Sequence, residues 1–365
     1  MTGENLTVNG DAEQLAPHTR RVAVIGCGDI SAIHLAAIAG LPGARLVGVS
    51  DPDAARLAAA VHAHRVPGFA DHLELFAELA PDVVHICTPH NTHAQLAIDA
   101  LERGINVIVE KPLADSREEG RRVAAAARNS TARIGVCFQN RYNAPVVAAQ
   151  ALLAGGTLGS IRGASATVSW HRTAEYYLDR PWRGTWSGGG GGLLMNQAIH
   201  TIDLLHWLVG PVSDVDGHAS TRHLGDVIEV EDTAELMLSH ENGARSVFYA
   251  TLAHTMNSPV SIEIVTDGAV LLLKGDLTVT YSDGRTELIR ETNAATGERA
   301  YWGISHELLI ADFYRGLDSG EPFWIDPDEA QKSLDVVQDV YDLSYGTRTG
   351  ALPHTIDSPS QKAVS

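Results

Sequence analysis

The sequence predicts an α/β protein in two parts: a parallel sheet covered by helices, then an α+β region with a large, open, mostly antiparallel sheet. Three observations predict this fold class. Short apolar strands alternate with amphipathic helices between residues 21 and 138. Beyond residue 138, strands follow one another in quick succession with turn signals between them. The 365 residues are enough for two domains, each with its own core.

The first part is expected to be a parallel sheet with right-handed crossovers, because strands and helices alternate at the pitch that such a sheet requires. Its predicted strands span residues 21–26, 45–50, 83–87, 105–109 and 133–138. Helices are predicted between them, near residues 30–40, 53–63, 73–79, 92–103 and 115–128.

The second part combines a few helices with many short strands. Its helices are predicted near residues 144–154, 196–209, 302–317 and 327–346. Its strands are predicted near residues 161–170, 213–222, 232–239, 244–252, 259–266, 269–274 and 277–282. The last helix has a clear start, because Asp326 can cap it, Pro327 suits its first position and Glu329 lies three residues after the cap.

The change of pattern places the predicted domains at residues 20–139 and 140–354, with disordered tails at 1–19 and 355–365. One face of the second sheet should pack on helices, and a second subunit could cover the other face. We therefore expect a homodimer or homotetramer formed through the C-terminal sheet.

Composition excludes several function classes. The net charge of -18 argues against nucleic acid and anionic membrane surfaces as partners, because both are polyanions. Cys27, Cys87 and Cys137 lie at or near the ends of predicted buried strands, which indicates reduced thiols and no disulfide. The first twenty residues lack the apolar core of a signal peptide, and no apolar stretch reaches transmembrane length. A cytoplasmic protein is expected.

A glycine turn follows the first predicted strand. The run Val22-Ala-Val-Ile-Gly26-Cys-Gly28-Asp29-Ile30-Ser31 matches the dinucleotide-binding fingerprint, with Ser31 in the place of the third glycine. Gly26 permits the tight turn, and Gly28 lets the backbone approach a pyrophosphate at the helix N-terminus. The motif alone is weak, since glycine turns after strands are common. It predicts a Rossmann dinucleotide-binding domain with contacts from Gly26, Gly28, Asp29 and Ile30.

Asp51 ends the second predicted strand, twenty-three residues beyond Gly28. A carboxylate at this point accepts hydrogen bonds from the adenosine ribose hydroxyls and repels a 2′-phosphate. Alternatively, Asp51 caps the following helix, and it could do both. No arginine immediately follows it, so the fingerprint and the acid together predict NAD as the cofactor rather than NADP.

Polar residues also follow the third predicted strand, in Cys87-Thr88-Pro89-His90-Asn91-Thr92-His93. Two histidines three residues apart suggest a metal, but no third ligand lies at a recognisable spacing, so no metal site is predicted. Asn91 or Thr92 is expected to cap the next helix. His93 either lies near the cofactor ribose or is purely structural. The candidate cofactor contacts are Thr88, Pro89, Asn91 and His93.

Glu110-Lys111-Pro112 closes the apolar run at residues 105–109, at a strand end where open α/β sheets bind their ligands. The chain contains only four lysines, and one placed at this edge indicates chemistry beside the dinucleotide. Glu110 and Lys111 are therefore candidate cofactor contacts. Lys111 is also a candidate for catalysis and for substrate binding.

Five glycines, residues 188–192, lead into a predicted helix that carries Asn196, His200 and Asp203. Their spacings of four and three residues predict that all three share one side of the helix. The apolar residues between them should face the core: Ala198, Ile199, Ile202, Leu205 and Leu208. A lone helical histidine is more often structural, but the glycines permit close approach of a ligand, which favours a functional His200.

Half of the chain's tryptophans lie within seventeen residues, 170–186. Aromatic faces with interspersed polar groups suit a sugar or cyclitol ring. The alternative is a loop that aromatic residues anchor on the domain interface. The candidate substrate contacts, including those named above, are Lys111, Arg141, Trp170, Tyr176, Trp182, Arg183, Asn196 and His200.

Together these motifs resemble the glucose-fructose oxidoreductase/inositol dehydrogenase (Gfo/Idh/MocA) family over about residues 20 to 350. The most specific element is Val109-Glu110-Lys111-Pro112-Leu113-Ala114 after the Rossmann turn, followed by the glycine-rich lead into the helix with His200 and Asp203. The resemblance implies a substrate held between two domains, with Lys111 on the reacting hydroxyl and His200 as acid or base. Many relatives have aspartate where this chain has Asn196, so His200 lacks a carboxylate that would raise its pKa.

We therefore expect an NAD-dependent oxidoreductase that oxidises or reduces a secondary alcohol or ketone on a sugar, sugar derivative or cyclitol. His200 would take the hydroxyl proton, Lys111 would stabilise the developing alkoxide, and Asn196 would position the ring. A second hypothesis is a glycoside hydrolase that uses NAD for transient oxidation. A third is a non-catalytic sensor of dinucleotide or sugar, which should have lost Lys111 or His200.

Overall fold

The computed structural model describes residues 19–291, 305–317 and 321–346. The predicted tails at 1–19 and 355–365 lie outside the described residues, apart from residue 19. Residues 302–304 of the predicted helix at 302–317 also lie outside them. The α/β fold class is confirmed, because one sheet is parallel and a second is mostly antiparallel. The domain boundaries stay a prediction.

The first sheet has six strands in the order β3-β2-β1-β4-β5-β6, all parallel. They are β1 (Arg20–Ile25), β2 (Ala44–Ser50), β3 (Gly68–Phe69), β4 (Val83–Ile86), β5 (Asn106–Val109) and β6 (Ile134–Val136). Only β3 was missed, since two residues carry no periodic pattern. The strand order reverses between β1 and β4, which creates a crevice at their carboxyl ends where ligands bind in such sheets.

Five helices cover this sheet: α1 (Ser31–Gly40), α2 (Ala54–His64), α3 (His72–Leu79), α4 (His90–Leu101) and α5 (Arg117–Asn129). Asp53, not Asp51, caps α2, because its carboxylate accepts hydrogen bonds from two N–H groups of the first turn. Helix α4 has no side-chain cap, so the capping role predicted for Asn91 or Thr92 was wrong. The Thr92 hydroxyl instead donates to the Pro89 carbonyl oxygen at 2.7 Å.

The second sheet has eight strands in the order β14-β13-β12-β11-β7-β10-β9-β8. They are β7 (Ile161–Ser169), β8 (Val212–Ser220), β9 (Thr233–His240), β10 (Arg245–Thr251), β11 (Ser261–Thr266), β12 (Ala269–Lys274), β13 (Asp276–Tyr281) and β14 (Thr286–Ile289). Neighbouring strands are antiparallel except β7 and β10. The sequence analysis missed β14, a short edge strand.

The remaining helices are α6 (Ala144–Ala154), α7 (Ala174–Leu178), α8 (Trp186–Gly189), α9 (Ile199–Val209), α10 (Ser305–Gly316) and α11 (Pro327–Tyr345). A π-helical turn, Leu194–Ala198, precedes α9. Helix α11 starts as predicted, with the Asp326 carboxylate accepting from the Glu329 N–H at 2.8 Å. The five apolar residues predicted to face the core between Ala198 and Leu208 are all buried.

Helix α11 joins the two parts of the molecule. It packs on α9 and β8 of the second part and on α5 of the first. Arg117 on α5 reaches across this contact to three aspartates on α11, Asp335, Asp339 and Asp342. Buried apolar residues of both parts belong to one hydrophobic core. Within the described ranges, no helix is both long enough and apolar enough to cross a membrane. The cytoplasmic location stays a prediction.

Candidate functional site

A cavity of about 1460 Å³ lies between the carboxyl ends of the parallel strands and the second sheet. The last residues of β1 and β2, and the residues that follow β4 and β5, form one wall. The opposite wall comes from the aromatic segment after β7, the start of α9 and residues 257–262. All of the predicted site residues line it except Asn91 and Arg141.

The glycine turn forms the dinucleotide end of this cavity. Gly26 has φ +91°, and a Cβ there would lie 2.6 Å from the Cys87 carbonyl oxygen, so only glycine fits. A Cβ on Gly28, by contrast, would meet nothing within 4 Å. The Ser31 hydroxyl donates to the Gly28 carbonyl oxygen at 2.6 Å and fixes the turn against α1. The open space beside Gly28, at a helix N-terminus, fits a pyrophosphate.

Asp51 stands beside this turn with its carboxylate held in place. One oxygen accepts from the Cys27 N–H at 2.7 Å and the other from the Asp53 N–H at 2.8 Å. The side chain is buried but lines the cavity. Capping of α2 was the alternative role predicted for Asp51, and Asp53 performs it. The Asp51 carboxylate is therefore available to accept hydrogen bonds from ribose hydroxyls.

Asp29 links the glycine turn to the aromatic segment. Its two carboxylate oxygens accept from Arg180 at 3.1 Å and from Arg183 at 3.4 Å. The Arg183 guanidinium also lies over the Tyr176 ring, 4.5 Å from its centre. Arg183 was predicted to contact substrate, and the structure places it between the two ends of the cavity.

Lys111 and Asn196 meet at the other end of the cavity. The Lys111 ammonium donates to the backbone carbonyl oxygen of Asn196 at 2.5 Å. Burial lowers the pKa of Lys111 to about 8, although the nearby Glu110 carboxylate opposes that shift. The bond between Lys111 and Pro112 is cis.

His200 lines the same cavity one helical turn after Asn196. Its Nδ1 is buried and has no hydrogen-bond partner among the described residues. Burial, with the charge of Lys111 as a further cause, holds the pKa of His200 well below its usual range. A neutral imidazole can accept a proton, which is what a general base requires.

The Asn196 side chain faces an aromatic hydroxyl. The Asn196 amide donates to the Tyr176 hydroxyl at 3.3 Å, and the neighbouring Gln197 amide donates to the same oxygen at 3.1 Å. The Trp170 and Trp182 side chains line the cavity close by. This end therefore combines aromatic faces with amide, hydroxyl and ammonium groups, as sugar-binding sites do.

Asp203 does not line the cavity with Asn196 and His200, although the sequence predicted that the three share one side of the helix. The residues that face the cavity are Asn196, Gln197, His200, Thr201 and Leu204. His200 and Asp203 both lie in the regular helix α9, where residues three apart point in directions about 60° apart, and only His200 lines the cavity. Asp203 is buried, and its carboxylate accepts hydrogen bonds from the Arg141 guanidinium.

Arg141 was predicted to bind substrate, and the structure places it elsewhere. Its guanidinium donates twice to Asp203, at 2.9 and 2.7 Å, and once to Glu329 at 2.9 Å. The side chain is buried and also packs against Trp207 and Trp324. Arg141 is therefore committed to an ion pair between α9 and α11.

Asn91 and His93 were both predicted to contact the cofactor. Asn91 is exposed on α4 and does not line the cavity. His93 does line it, but both ring nitrogens lie close to backbone carbonyl oxygens, Pro112 at 2.8 Å and Thr88 at 2.9 Å. These contacts favour the structural interpretation of His93, because they tie the two strand-end loops together.

The sequence analysis missed a buried group of histidines behind Lys111. The Glu110 carboxylate lies 2.9 Å from Nε2 of His34 and 3.2 Å from Nε2 of His306. His34 continues through His85, at 2.9 Å, to the Tyr314 hydroxyl, at 3.0 Å. Burial raises the pKa of Glu110, but the neighbouring imidazoles outweigh it and hold that pKa well below its usual range.

The ligand atoms of His34, Glu110 and His306 lie within 4.8 Å of one another, a spacing that would also suit a metal ion. The sequence analysis did not anticipate this group, since its members come from α1, the loop after β5 and α10. One signal was available: His85 interrupts the otherwise apolar strand Val83–Ile86, and a buried histidine in such a strand needs polar partners.

Two family models match the chain. Residues 20–138 match the model described as "Oxidoreductase family, NAD-binding Rossmann fold". Residues 146–271 match the model described as "GFO/IDH/MocA C-terminal domain". The first match covers the glycine turn, Asp51 and Lys111, and the second covers the aromatic segment, Asn196 and His200.

Sequence comparison finds sugar and cyclitol dehydrogenases among the curated relatives. An inositol 2-dehydrogenase from Rubrobacter xylanophilus is 30% identical over 55% of this chain and 54% of its own length. A levoglucosan dehydrogenase from Pseudarthrobacter phenanthrenivorans is 30% identical over 63% of this chain and 65% of its own length. The chain thus spans less than two thirds of these curated relatives.

Structural comparison extends the likeness over both sheets. The WlbA dehydrogenase from Bordetella pertussis, solved in complex with NADH and UDP-GlcNAcA, has a TM-score of 0.76 and 30% sequence identity. The match covers 89% of this chain and 96% of that one.

Proposed function

The chain belongs to the Gfo/Idh/MocA oxidoreductase family, and we propose from that premise that it oxidises a secondary alcohol of a sugar, sugar derivative or cyclitol with NAD, or catalyses the reverse reaction. One observation carries the proposal. Lys111, Asn196 and His200 line the same cavity as the Gly26–Gly28 turn, although they come from segments far apart in the sequence. The names of the relatives, which include dehydrogenases of inositol and levoglucosan, agree with this reaction class.

The bound dinucleotide would supply the hydride acceptor, and the protein residues would handle the proton and the oxygen. His200, held neutral by burial, would take the hydroxyl proton. The Lys111 ammonium would donate a hydrogen bond to the reacting oxygen and stabilise the developing negative charge. The Asn196 amide would orient the ring through a hydroxyl, as it now contacts the Tyr176 hydroxyl.

NAD is proposed over NADP because of Asp51. Its carboxylate is fixed by two backbone N–H groups at the end of β2, where it would accept hydrogen bonds from ribose hydroxyls. The same charge would repel a 2′-phosphate. The Gly28 turn and the N-terminus of α1 would hold the pyrophosphate.

The experiment that tests the function is an assay of NAD and NADP reduction across inositols, aldoses, anhydrosugars and glycosides. The proposal expects NADH to accumulate with at least one polyol and to accumulate faster than NADPH. Release of an aglycone without net NADH would favour a hydrolase that uses NAD for transient oxidation. Dinucleotide binding without turnover of any compound would favour a sensor.

We also propose that the protein is a homodimer or homotetramer formed through the open face of the second sheet. Large apolar side chains are exposed on its strands: Met237, Val247, Tyr249, Val265 and Leu288. Met237 and Val247 are directly paired on neighbouring strands, so their side chains share one face. Light scattering in solution tests this assembly, and a monomer at micromolar concentration would contradict it.

A further inference from the structure

Arg172 is a cavity-lining arginine that the reaction described above does not use. It lies in the aromatic segment after β7 and is half-buried. No carboxylate pairs with it among the residues that the structure describes. An unpaired cation in a partly dry cavity is costly, so its presence needs an explanation.

The guanidinium of Arg172 is held firmly on one edge. Its Nη1 donates to the backbone oxygen of His171 at 2.7 Å and to the Asn257 side-chain oxygen at 3.0 Å. The same Asn257 oxygen accepts from the His171 N–H at 2.9 Å. Arg172 therefore has a fixed position before any ligand arrives.

Aromatic rings pack against the same guanidinium. Its central carbon lies 5.1 Å from the ring centre of Trp170 and 5.1 Å from that of Tyr176. The Trp170 indole is itself anchored, since it donates to the Ser258 carbonyl oxygen at 3.1 Å. A guanidinium binds a carboxylate in its own plane, through its N–H groups. The Trp170 and Tyr176 rings pack against the guanidinium without using those N–H groups.

The Nε of Arg172 is left without a partner. It is buried and makes no hydrogen bond within the described part of the chain. Buried donors are rarely left unpaired in proteins, and exceptions often mark a place where a ligand binds. The fixed Nη1 and the covered, unpaired Nε together show a guanidinium that is held in place while its in-plane donors are not all satisfied.

Other arginines of the cavity differ in this respect. Arg180 and Arg183 share the Asp29 carboxylate, and Arg56 lies 3.7 Å from Asp53. The buried Arg141, outside the cavity, is neutralised by Asp203 and Glu329. Arg172 thus adds one uncompensated positive charge to the substrate end, on a chain whose net charge is -18.

Arg172 is also close to the reacting groups. The Tyr176 ring that it contacts carries the hydroxyl that accepts from Asn196, one helical turn before His200. A single aromatic side chain therefore separates the guanidinium from the amide proposed to orient the substrate. A sugar-sized molecule can span this gap.

We propose that the substrate carries a carboxylate, as uronic and aldonic acids do, and that the Arg172 guanidinium binds this carboxylate. The inference rests on the proposed dehydrogenase function and narrows its substrate class. A carboxylate is favoured over a phosphate because one uncompensated guanidinium matches a single negative charge. A phosphate dianion would call for a second cation, but Lys111 is assigned to the reacting oxygen and Arg180 and Arg183 are held by Asp29.

The kinetic test compares acids with uncharged analogues of the same shape. D-Glucuronate, D-galacturonate and D-gluconate are each assayed with NAD against the corresponding amide. Wild-type protein should show kcat/KM about 100-fold higher for at least one acid than for its amide. In Arg172→Gln this preference should disappear, with the loss confined to the acid.

Arg285→Gln is the matched control, because Arg285 also stacks on a tyrosine, Tyr281, and pairs with Glu287, but lies outside the cavity. It should leave the preference for the acid intact. Equal kcat/KM for all three acids and their amides would overturn the inference, while turnover of neutral polyols would leave the dehydrogenase function standing. Faster turnover of D-glucose 6-phosphate than of any acid would also overturn the inference.

A binding measurement distinguishes failure of the carboxylate inference from failure of the proposed dehydrogenase function. The same acids and amides are titrated into the protein with NADH, and quenching of tryptophan fluorescence reports occupancy beside Trp170 and Trp182. Tighter binding of an acid than of its amide, lost in Arg172→Gln, supports the carboxylate site even if no compound is oxidised. No difference in affinity for any pair would overturn it.

Discussion

The two ends of the cavity are built in different ways. At the dinucleotide end, backbone turns form much of the wall, and the key residues follow directly on strand ends: Gly26 and Gly28 after β1, and Asp51 after β2. At the substrate end, side chains from distant segments converge, as where Lys111 meets the Asn196 carbonyl oxygen. The parallel sheet positions the glycine turn and Asp51, whereas the substrate end depends on how the two parts of the molecule pack.

The largest expected effect is a loss of turnover when side chains that converge at the substrate end are removed. Lys111→Ala and His200→Ala should each lower kcat by roughly 100- to 10,000-fold, because each removes a group proposed to act on the reacting hydroxyl. The dissociation constant of NAD, measured by calorimetry, should change little. Lys332→Ala and His218→Ala serve as controls, since both residues are exposed and outside the cavity. Unimpaired turnover in both active-site variants would contradict the roles proposed for Lys111 and His200.

The next largest effect is a loss of stability when Arg141 is replaced. Arg141→Ala should lower the free energy of unfolding by roughly 3–5 kcal/mol, because it leaves the Asp203 carboxylate buried without its partner. Arg128→Ala, which breaks an exposed pair with Asp328, should cost only about 0–1 kcal/mol. Urea denaturation monitored by circular dichroism measures both. Similar losses in the two variants would contradict the role given to Arg141.

The dinucleotide end is tested through Asp51. Asp51→Ala should weaken NAD binding by roughly 10- to 100-fold, the loss expected for hydrogen bonds to a charged acceptor. NADP binding should change less or improve, because the repulsive charge is gone and Arg56 lines the cavity nearby. Ser116→Ala is the control: it removes the cap of α5, outside the cavity, and should preserve the ratio of the two affinities. An unchanged ratio in Asp51→Ala would show that Asp51 does not select the cofactor.

The smallest effect expected is a shift in pH dependence. Lys111 must keep its proton to stabilise an alkoxide, and burial lowers its pKa to about 8, so kcat/KM should fall as the pH rises above that value. His200 stays neutral down to a pH well below the usual range of histidine, so no loss is expected near neutral pH. Glu110→Gln removes the charge that opposes the shift in Lys111, which should move the alkaline limb to lower pH. Glu307→Gln, an exposed change on α10, should leave the profile unmoved.

Much of the fold followed from the sequence because the parallel strands are continuous apolar runs separated by amphipathic helices. The dinucleotide end was equally accessible, since glycines and Asp51 form a short, ordered motif. The errors came where local geometry departs from regular spacing. No residue pattern announced the π-helical turn at Leu194–Ala198, and the Asp203 carboxylate pairs with Arg141 and does not line the cavity.

Other features depend on long-range contacts that a single sequence does not reveal. Arg141 looked like a ligand-binding residue, but its partner Glu329 lies far along the chain. The histidines around Glu110 come from three separate elements, so their spacing carries no motif. The unpaired Nε of Arg172 became visible only when its neighbours Asn257, Trp170 and Tyr176 were in place.

The most direct test of the central claim follows a labelled hydrogen. A polyol or sugar acid that the protein oxidises is prepared with deuterium on its reacting carbon and incubated with NAD, and the NADH formed is analysed by NMR. If Lys111 and His200 act on an alcohol held beside the dinucleotide, the deuterium should appear on C4 of the nicotinamide ring. NADH without the label, or product released with no labelled NADH at any stage, would contradict the account.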